Sequence, residues 1–232
     1  MNLNPEISCL MSVYNSEDTI KKSIESIQNQ TFDNFEFLII DDASSDNSFE
    51  IIKGFENIDK RIKVYRNEEN IGLTKSLNKL ISLTSSKFIA RQDGDDTSLT
   101  SRFEKQVSYI REKNIDACTT LARGKQSKKT LHLKSRFIPI KLLLKFKNPF
   151  IHGSLMIKTS KLKEIGGYDE SFRYAQDYKL FTQLIDLNYD IEIINEVLYI
   201  LNQESNISTN FKSEQEKFAN YVKKGISPKN ES

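Results

Sequence analysis

Short apolar runs alternate with amphipathic segments along the first half of the chain. Four runs have strand character: Ile7–Val13, Phe35–Ile40, Arg61–Tyr65 and Phe88–Ala90. Between and after them, apolar residues recur at helical spacing, as in Ile20/Ile24/Ile27, Phe49/Ile52/Phe55, Leu73/Leu77/Leu80/Ile81 and Phe103/Val107/Ile110. This alternation predicts an α/β domain in which helices flank a mostly parallel central sheet.

Polar residues at the helix ends refine this prediction. Ser16 is expected to cap the first helix, Asp46 to cap the second, and Gly72 to open the third. The residues after Lys212 predict a short helix followed by a disordered end, and the polar stretch Lys125–Lys134 is predicted to be mobile.

Composition excludes several classes of protein. The 232 residues suffice for one α/β domain, and 38% hydrophobic with 28% charged residues is typical of a soluble folded chain. No apolar run approaches the roughly 18 residues of a membrane-spanning helix, and the N-terminus does not resemble a signal peptide. Cys9 and Cys118 are expected to be reduced core residues, so a cytoplasmic location is expected. The basic residues at 123–147 add the expectation of a peripheral position at the inner face of the cell membrane.

The net charge of +2 conceals a basic block. No acidic residue lies between Asp116 and Glu164, whereas residues 123–147 alone contain nine lysines and arginines. Few aromatic residues interrupt the block and no nucleic-acid motif is present, so no nucleic-acid partner is expected. An anionic membrane surface or a phosphorylated substrate suits the charge better.

Candidate chemistry lies where the strands end. Asn15, the pair Asp41-Asp42 and the cluster Asp93–Asp96 each follow a predicted strand. Ligands of doubly wound sheets bind outside the carboxyl ends of the strands, so these groups are expected to converge on one crevice. Closely spaced carboxylates suit Mg²⁺ or Mn²⁺ together with substrate phosphates, although an acidic surface turn has the same composition.

Six motifs in order resemble family-2 inverting glycosyltransferases. They are Met11-Ser-Val-Tyr-Asn15, Ile39-Ile-Asp-Asp-Ala-Ser-Ser-Asp46 with Asn70-Ile-Gly72, Gln92-Asp-Gly-Asp-Asp96, Ile151-His-Gly-Ser-Leu-Met-Ile157, Gly166-Gly-Tyr-Asp-Glu170 and Ala175-Gln-Asp-Tyr-Lys-Leu180. The resemblance covers roughly residues 7 to 208. It implies a GT-A (Rossmann-like) fold with a smaller, mixed acceptor-side segment. It also implies a nucleotide-sugar donor, most simply a UDP-sugar.

The resemblance assigns roles residue by residue. Nucleotide binding would fall to Val13, Asn15, Asp42 and Asp93, metal binding of Mn²⁺ or Mg²⁺ to Asp95 and Asp96, catalytic base action to Asp177, and the acceptor or diphosphate side to His152 and Gln176. The acceptor would be a hydroxyl, such as that of a lipid-linked oligosaccharide, in polysaccharide or glycolipid synthesis. Residues 123–147 would contact the membrane.

The implied organisation has three parts. Residues 1–116 form the nucleotide-sugar half, residues 117–212 the acceptor and catalytic-base half of the same domain, and residues 213–232 a C-terminal helix and tail. Two departures from the family pattern leave alternatives open: Gln176 stands where Glu is frequent, and residues 198–203 lack an Arg and a His found in many relatives. A non-catalytic nucleotide- or membrane-binding relative, a phosphoacceptor signalling domain and a nucleotidyltransferase are the competing interpretations.

Overall fold

A computed structural model describes residues 4–125, 130–131, 139–202 and 211–228. Within these ranges the chain forms one nine-stranded sheet flanked by helices. The strands are β1 Ile7–Val13, β2 Phe35–Asp41, β3 Ile62–Arg66, β4 Phe88–Arg91, β5 Thr97–Ser98, β6 Ala117–Gly124, β7 Thr130–Leu131, β8 Met156–Lys158 and β9 Ile191–Leu201. Their spatial order is β3-β2-β1-β4-β8-β6-β9-β5, and β7 pairs with β6.

Helices connect the strands. They are α1 Ile20–Gln28, α2 Ser48–Ile58, α3 Leu73–Leu83, α4 Arg102–Lys113, α5 Ile140–Leu143, α6 Thr159–Glu164, α7 Gln176–Asp186 and α8 Lys212–Lys224. A single 3-10 turn, His152–Ser154, precedes β8.

Strands β3, β2, β1 and β4 run parallel, and helices cover both of their faces. Successive residues of β1 point to opposite sides, so Leu10 joins one core cluster while Cys9 and Met11 join the other. All of β2 is buried, which explains why its sequence is a continuous apolar run rather than an alternating one. The predicted mostly parallel α/β fold is confirmed.

An antiparallel strand joins the two sides of the sheet. Strand β8 lies between β4 and β6 and is antiparallel to both. Beyond it, β6 and β9 are parallel, with register shifts between Thr120 and Leu121 and between Leu121 and Ala122. These irregularities place Tyr199 of β9 opposite Ala122.

Two sequence predictions were wrong in detail. Helix α1 begins at Ile20 rather than after Ser16, because the N–H of Ser16 donates to Ser48, the first residue of α2, and the N–H of Glu17 donates to Asp46 in the loop before it. The third strand begins one residue later than expected, at Ile62. The predicted C-terminal helix is confirmed by α8, whereas residues 126–129, 132–138 and 229–232, to which the mobility and disorder predictions mainly refer, lie outside the described residues.

Candidate active site

Three neighbouring strands end at one edge of the sheet. Because β2, β1 and β4 are adjacent and parallel, the loops that follow them meet there. The N–H of Asp42 donates to the carbonyl of Val13 at 2.7 Å, and the N–H of Gln92 donates to the carbonyl of Leu10 at 3.1 Å. The predicted convergence of Asn15, Asp41-Asp42 and Asp93–Asp96 is therefore observed.

The loop after β1 is fixed by the loop after β2. Asn15 has a left-handed backbone with φ of 47°, which asparagine tolerates better than most residues. Its N–H donates to Ser44 Oγ at 3.0 Å, and its Oδ1 accepts the N–H of Ser45 at 2.9 Å. Val13 is buried directly below this junction. Asn15 thus joins the loop after β1 to the loop after β2.

The paired aspartates Asp41 and Asp42, at the end of β2, both make polar contacts within the protein. Asp41 Oδ2 lies 3.1 Å from Arg66 Nε, and both aspartates are buried. Asp42 accepts three hydrogen bonds, from Asn67 Nδ2 at 2.7 Å, the N–H of Ile71 at 3.0 Å and the N–H of Gly72 at 2.8 Å. Asp42 therefore fixes the segment that opens α3. Its expected contact with the nucleotide stays a prediction.

The acidic loop after β4 wraps around the side chain of Gln92. Gln92 Nε2 donates to the carbonyls of Asp93 at 3.1 Å and Asp96 at 3.0 Å, and its Oε1 accepts the hydroxyl of Ser98 at 2.7 Å. A buried amide satisfied on both sides holds a loop in one conformation. Gln92 therefore fixes the loop that presents the carboxylates.

Two fully buried arginines underlie this loop. Arg91 pairs with Asp93 at 2.6 Å and donates to the carbonyl of Leu10, also at 2.6 Å. Arg102 donates to the carbonyl of Arg91 at 3.0 Å and to that of Gly153 at 3.2 Å. Buried guanidinium groups are costly unless they are hydrogen-bonded. Here backbone carbonyls and one carboxylate bind the terminal nitrogens, whereas the Nε atoms of Arg91 and Arg102 have no partner among the described residues. Neither arginine belongs to the six motifs.

Asp96 and Asp95 differ in their surroundings. Asp96 is buried, and its Oδ1 accepts the N–H of Asn202 at 2.7 Å. Burial, followed by the charges of Asp93 and Asp95, raises the pKa of Asp96 to about 9. Burial and the charge of Asp93 raise the pKa of Asp95 to about 6, and Asp95 is less enclosed by the protein.

The carboxyl groups of the acidic loop suit a divalent cation that takes most of its other ligands from a bound substrate. Burial and mutual repulsion disfavour the ionised form of these carboxyl groups, and a bound cation would favour the ionised form again. Among the described residues, no three His, Cys, Asp or Glu side chains form a closed metal site. Mg²⁺ and Mn²⁺ bind in such places through one or two carboxylates and the phosphates of a nucleotide. Asp95 is the better placed metal ligand, because Asp96 already accepts a hydrogen bond from within the protein.

The turn before β8 borders the acidic loop. A Cβ at Gly153 would lie 2.2 Å from the Tyr199 hydroxyl oxygen and 2.6 Å from Asp93 Oδ2, so only glycine fits there. His152 Nε2 lies 2.7 Å from the Tyr168 hydroxyl. Burial, with a smaller effect from Arg91, lowers the pKa of His152 to about 3, so the imidazole is neutral. His152 is therefore a hydrogen-bonding group here rather than a cation.

Asp177 lies in the first turn of α7, where helix N–H groups favour a negative charge. The turn is entered through Ala175, whose φ is 51°. Asn148 Nδ2 donates to Asp177 Oδ2 at 2.7 Å. Burial raises the pKa of Asp177, and the charge of Asp93 acts in the same direction. A partly buried carboxylate of raised proton affinity, close enough to sense Asp93, suits a general base. Gln176 precedes it in the same turn.

Sequence comparison identifies the family. The model of Glycosyl transferase family 2 matches residues 8–171, more than half of the chain. The glycosyltransferase MJ1057 of Methanocaldococcus jannaschii, described as uncharacterized, is 36% identical over 202 residues, which cover 84% of this chain and 69% of the relative. The O-antigen biosynthesis glycosyltransferase WbnJ of Escherichia coli is 34% identical over 78% of this chain and 72% of its own length. The chain belongs to glycosyltransferase family 2.

Solved structures agree on the fold. The mannosyltransferase PcManGT of Pyrobaculum calidifontis, solved with GDP-Man and Mn²⁺, superposes with a TM-score of 0.78 at 15% identity over 98% of this chain and 67% of its own. S. aureus TarS 1-349 in complex with UDP-GlcNAc gives a TM-score of 0.75 at 20% identity, over 94% of this chain. This chain spans 65% of that TarS structure. The fold is GT-A, as the motifs predicted.

Proposed function

We propose that the protein transfers a sugar from a UDP-sugar to a hydroxyl acceptor with inversion at the anomeric carbon. The observation that carries the proposal is the position of Asp177: it lies close enough to Asp93 of the acidic loop for their charges to interact. A base and a donor-binding loop on one crevice are what a direct displacement requires. The UDP-GlcNAc bound to the structural neighbour TarS agrees with this donor class.

We assign donor binding to residues 1–116. Val13, Asn15, Asp42 and Asp93 would form the nucleotide pocket at the ends of β1, β2 and β4. Asp95, with Asp96 beside it, would hold Mn²⁺ or Mg²⁺. When bound, that ion would neutralise charge on the departing diphosphate. The Mn²⁺ in the neighbour PcManGT is consistent with this role.

Acceptor binding would fall to residues 117–212. The acceptor oxygen attacks the anomeric carbon, its bond to that carbon forms as the bond to the diphosphate oxygen breaks, and Asp177 takes the hydroxyl proton. His152 and Gln176 would line the acceptor or diphosphate side. One carboxylate suffices, because no acid or second nucleophile is needed to expel a nucleoside diphosphate.

We also propose that the acceptor is carried by a membrane, as a lipid-linked oligosaccharide in surface polysaccharide or glycolipid synthesis. The O-antigen function of WbnJ supports this class of pathway. No helix in the described ranges is long and apolar enough to cross a membrane. Contact would instead be peripheral, through the basic block 123–147. Its described part exposes Leu142 and Phe146, at 48% and 67%, whereas Leu143 and Leu144 are buried.

The test is Asp177→Asn, with Asp186→Asn at the exposed far end of α7 as the matched control. Donors are first screened by Mn²⁺-dependent thermal stabilisation, and transfer is then measured with the donor that stabilises. Loss of a general base costs about 10²- to 10⁴-fold in rate, with donor affinity unchanged. Near-parental turnover by Asp177→Asn would exclude it as the base. Donor binding without any transfer in the parent protein would favour the non-catalytic alternative.

A further inference from the structure

Asn148 joins α7, which carries the proposed base, to the segment that directly follows the basic block. Its Nδ2 donates to Asp177 Oδ2 at 2.7 Å, and its own Oδ1 accepts the N–H of Phe150 at 3.0 Å. The amide orientation is therefore determined by two partners of opposite kind, because only the nitrogen can donate and only the oxygen accepts here. A side chain held at both ends has little freedom to release the carboxylate.

Residues 144–150 contact α7 at three successive points. Leu144 accepts a hydrogen bond from the Tyr178 hydroxyl through its carbonyl, Asn148 binds Asp177, and Phe150 stacks on Phe181 with ring centroids 4.3 Å apart. Residues 177, 178 and 181 form one face of the first turns of α7. The position of the proposed base is thus set by residues 144–150 as well as by its own helix.

We propose that Asn148 is a positioning residue for the transfer reaction, holding the carboxylate of Asp177 in the orientation in which it receives the acceptor's proton. The inference rests on the proposed role of Asp177 as base. It gives the residue that directly follows the basic block a role in the chemistry that is separate from any contact with a membrane.

The electrostatic consequence has a definite sign. A donated hydrogen bond stabilises the charged carboxylate, so Asn148 and the N–H of Tyr178 oppose the effect of burial on the pKa of Asp177. Among the described residues, Asp93 and Tyr168 are the titratable groups of other elements that interact with Asp177. Removing the Asn148 donor raises the proton affinity of Asp177, and the base is then protonated up to a higher pH.

Asn148→Asp separates positioning from structure. The new side chain keeps an oxygen for the N–H of Phe150 and replaces the donor to Asp177 with a second carboxyl group. The acidic limb of the rate against pH should move up by about one unit or more, which is about tenfold in rate at a fixed pH on that limb. Donor affinity should be unchanged, and Asn148→Ala should shift the limb in the same direction by less.

A double variant provides the control. Any residual transfer by Asp177→Asn should be unaffected when Asn148→Asp is added. Asn148 would act only through the carboxylate of Asp177, which is absent from this variant. If Asp177→Asn abolishes transfer and Asn148→Asp leaves the pH profile in place, Asn148 is not a positioning residue although the proposed function stands. If Asp177→Asn turns over normally, the proposed function itself is lost.

Discussion

The hydroxyl of Tyr199 accepts the backbone N–H of Asp93 at 3.1 Å. Tyr199 lies on β9, near the opposite end of the sheet order from β2, β1 and β4, and its ring is fully buried. The hydroxyl also lies close enough to the carboxyl group of Asp96 for the two groups to interact electrostatically. Tyr199 therefore holds the start of the four-residue acidic loop and lies near its end.

Tyr199→Phe should destabilise the protein and loosen this loop. The partly buried N–H of Asp93 loses its partner, at a cost of about 1–3 kcal/mol in the free energy of unfolding. Urea unfolding measures the loss. Tyr109→Phe, which removes a half-buried hydroxyl that donates to Glu192, is the control and should cost less. Equal losses in the two variants would contradict a special role for Tyr199.

Gly153→Ala should weaken both folding and donor binding. The added methyl group would meet the Tyr199 hydroxyl and Asp93 Oδ2, neither of which can move freely, so a cost of about 1–3 kcal/mol is expected. Gly54→Ala is the matched control, because a Cβ there meets nothing within 4 Å and lies inside α2. That control should gain about 0.5–1 kcal/mol. Thermal melts of the two variants should therefore shift in opposite directions.

Asp95→Asn should stabilise the metal-free protein above pH 6. The pKa of Asp95 is raised to about 6 in the folded chain, so the folded state loses stability as the pH rises from about 4 through 6. An asparagine does not titrate, so the variant should be more stable than the parent by about 1–3 kcal/mol in the free energy of unfolding at pH 7.5 and equally stable at pH 3.5. Melting temperatures across this range, without metal, measure the difference.

The same substitution should abolish the effect of Mn²⁺ on UDP binding. Calorimetric titration of UDP with and without Mn²⁺ provides the comparison. If Mn²⁺ strengthens UDP binding to Asp95→Asn as much as to the parent, the ion is held elsewhere.

Contact with an anionic membrane should depend on the exposed apolar residues of the basic block. Phe146→Ser and Leu142→Ser should reduce sedimentation with vesicles that contain anionic phospholipid. Ile58→Ser, which removes a side chain 76% exposed at the end of α2, is the control and should change nothing. High salt should release the parent protein, because each nearby lysine contributes about 1 kcal/mol that is screened. Equal sedimentation with neutral and anionic vesicles would exclude the charge effect.

Much of the nucleotide-side fold could be predicted from the sequence, because each of its strands is a local apolar run followed by a polar turn. The same rule located Asn15, Asp42 and Asp93 at one edge, and the structure confirms that placement. Arg91 could have been noticed as a charge within a buried strand. The contacts of Tyr199 with Asp93 and of Asn148 with Asp177 could not be predicted from the sequence. They join residues separated by 106 and 29 positions, and no local pattern encodes such pairs.

Because of the register shifts between β6 and β9, the placement of side chains on β9 depends on the number of residues in that strand. Successive side chains of a strand point to opposite faces, so the extra residues of β9 determine which face receives each residue beyond Ile194. Deleting one residue between Ile194 and Tyr199 would turn the phenol away from the acidic loop even though every contacting residue type was retained. In this stretch insertions and deletions should be tolerated less well than substitutions, and divergence of the enzyme should be confined to the loops.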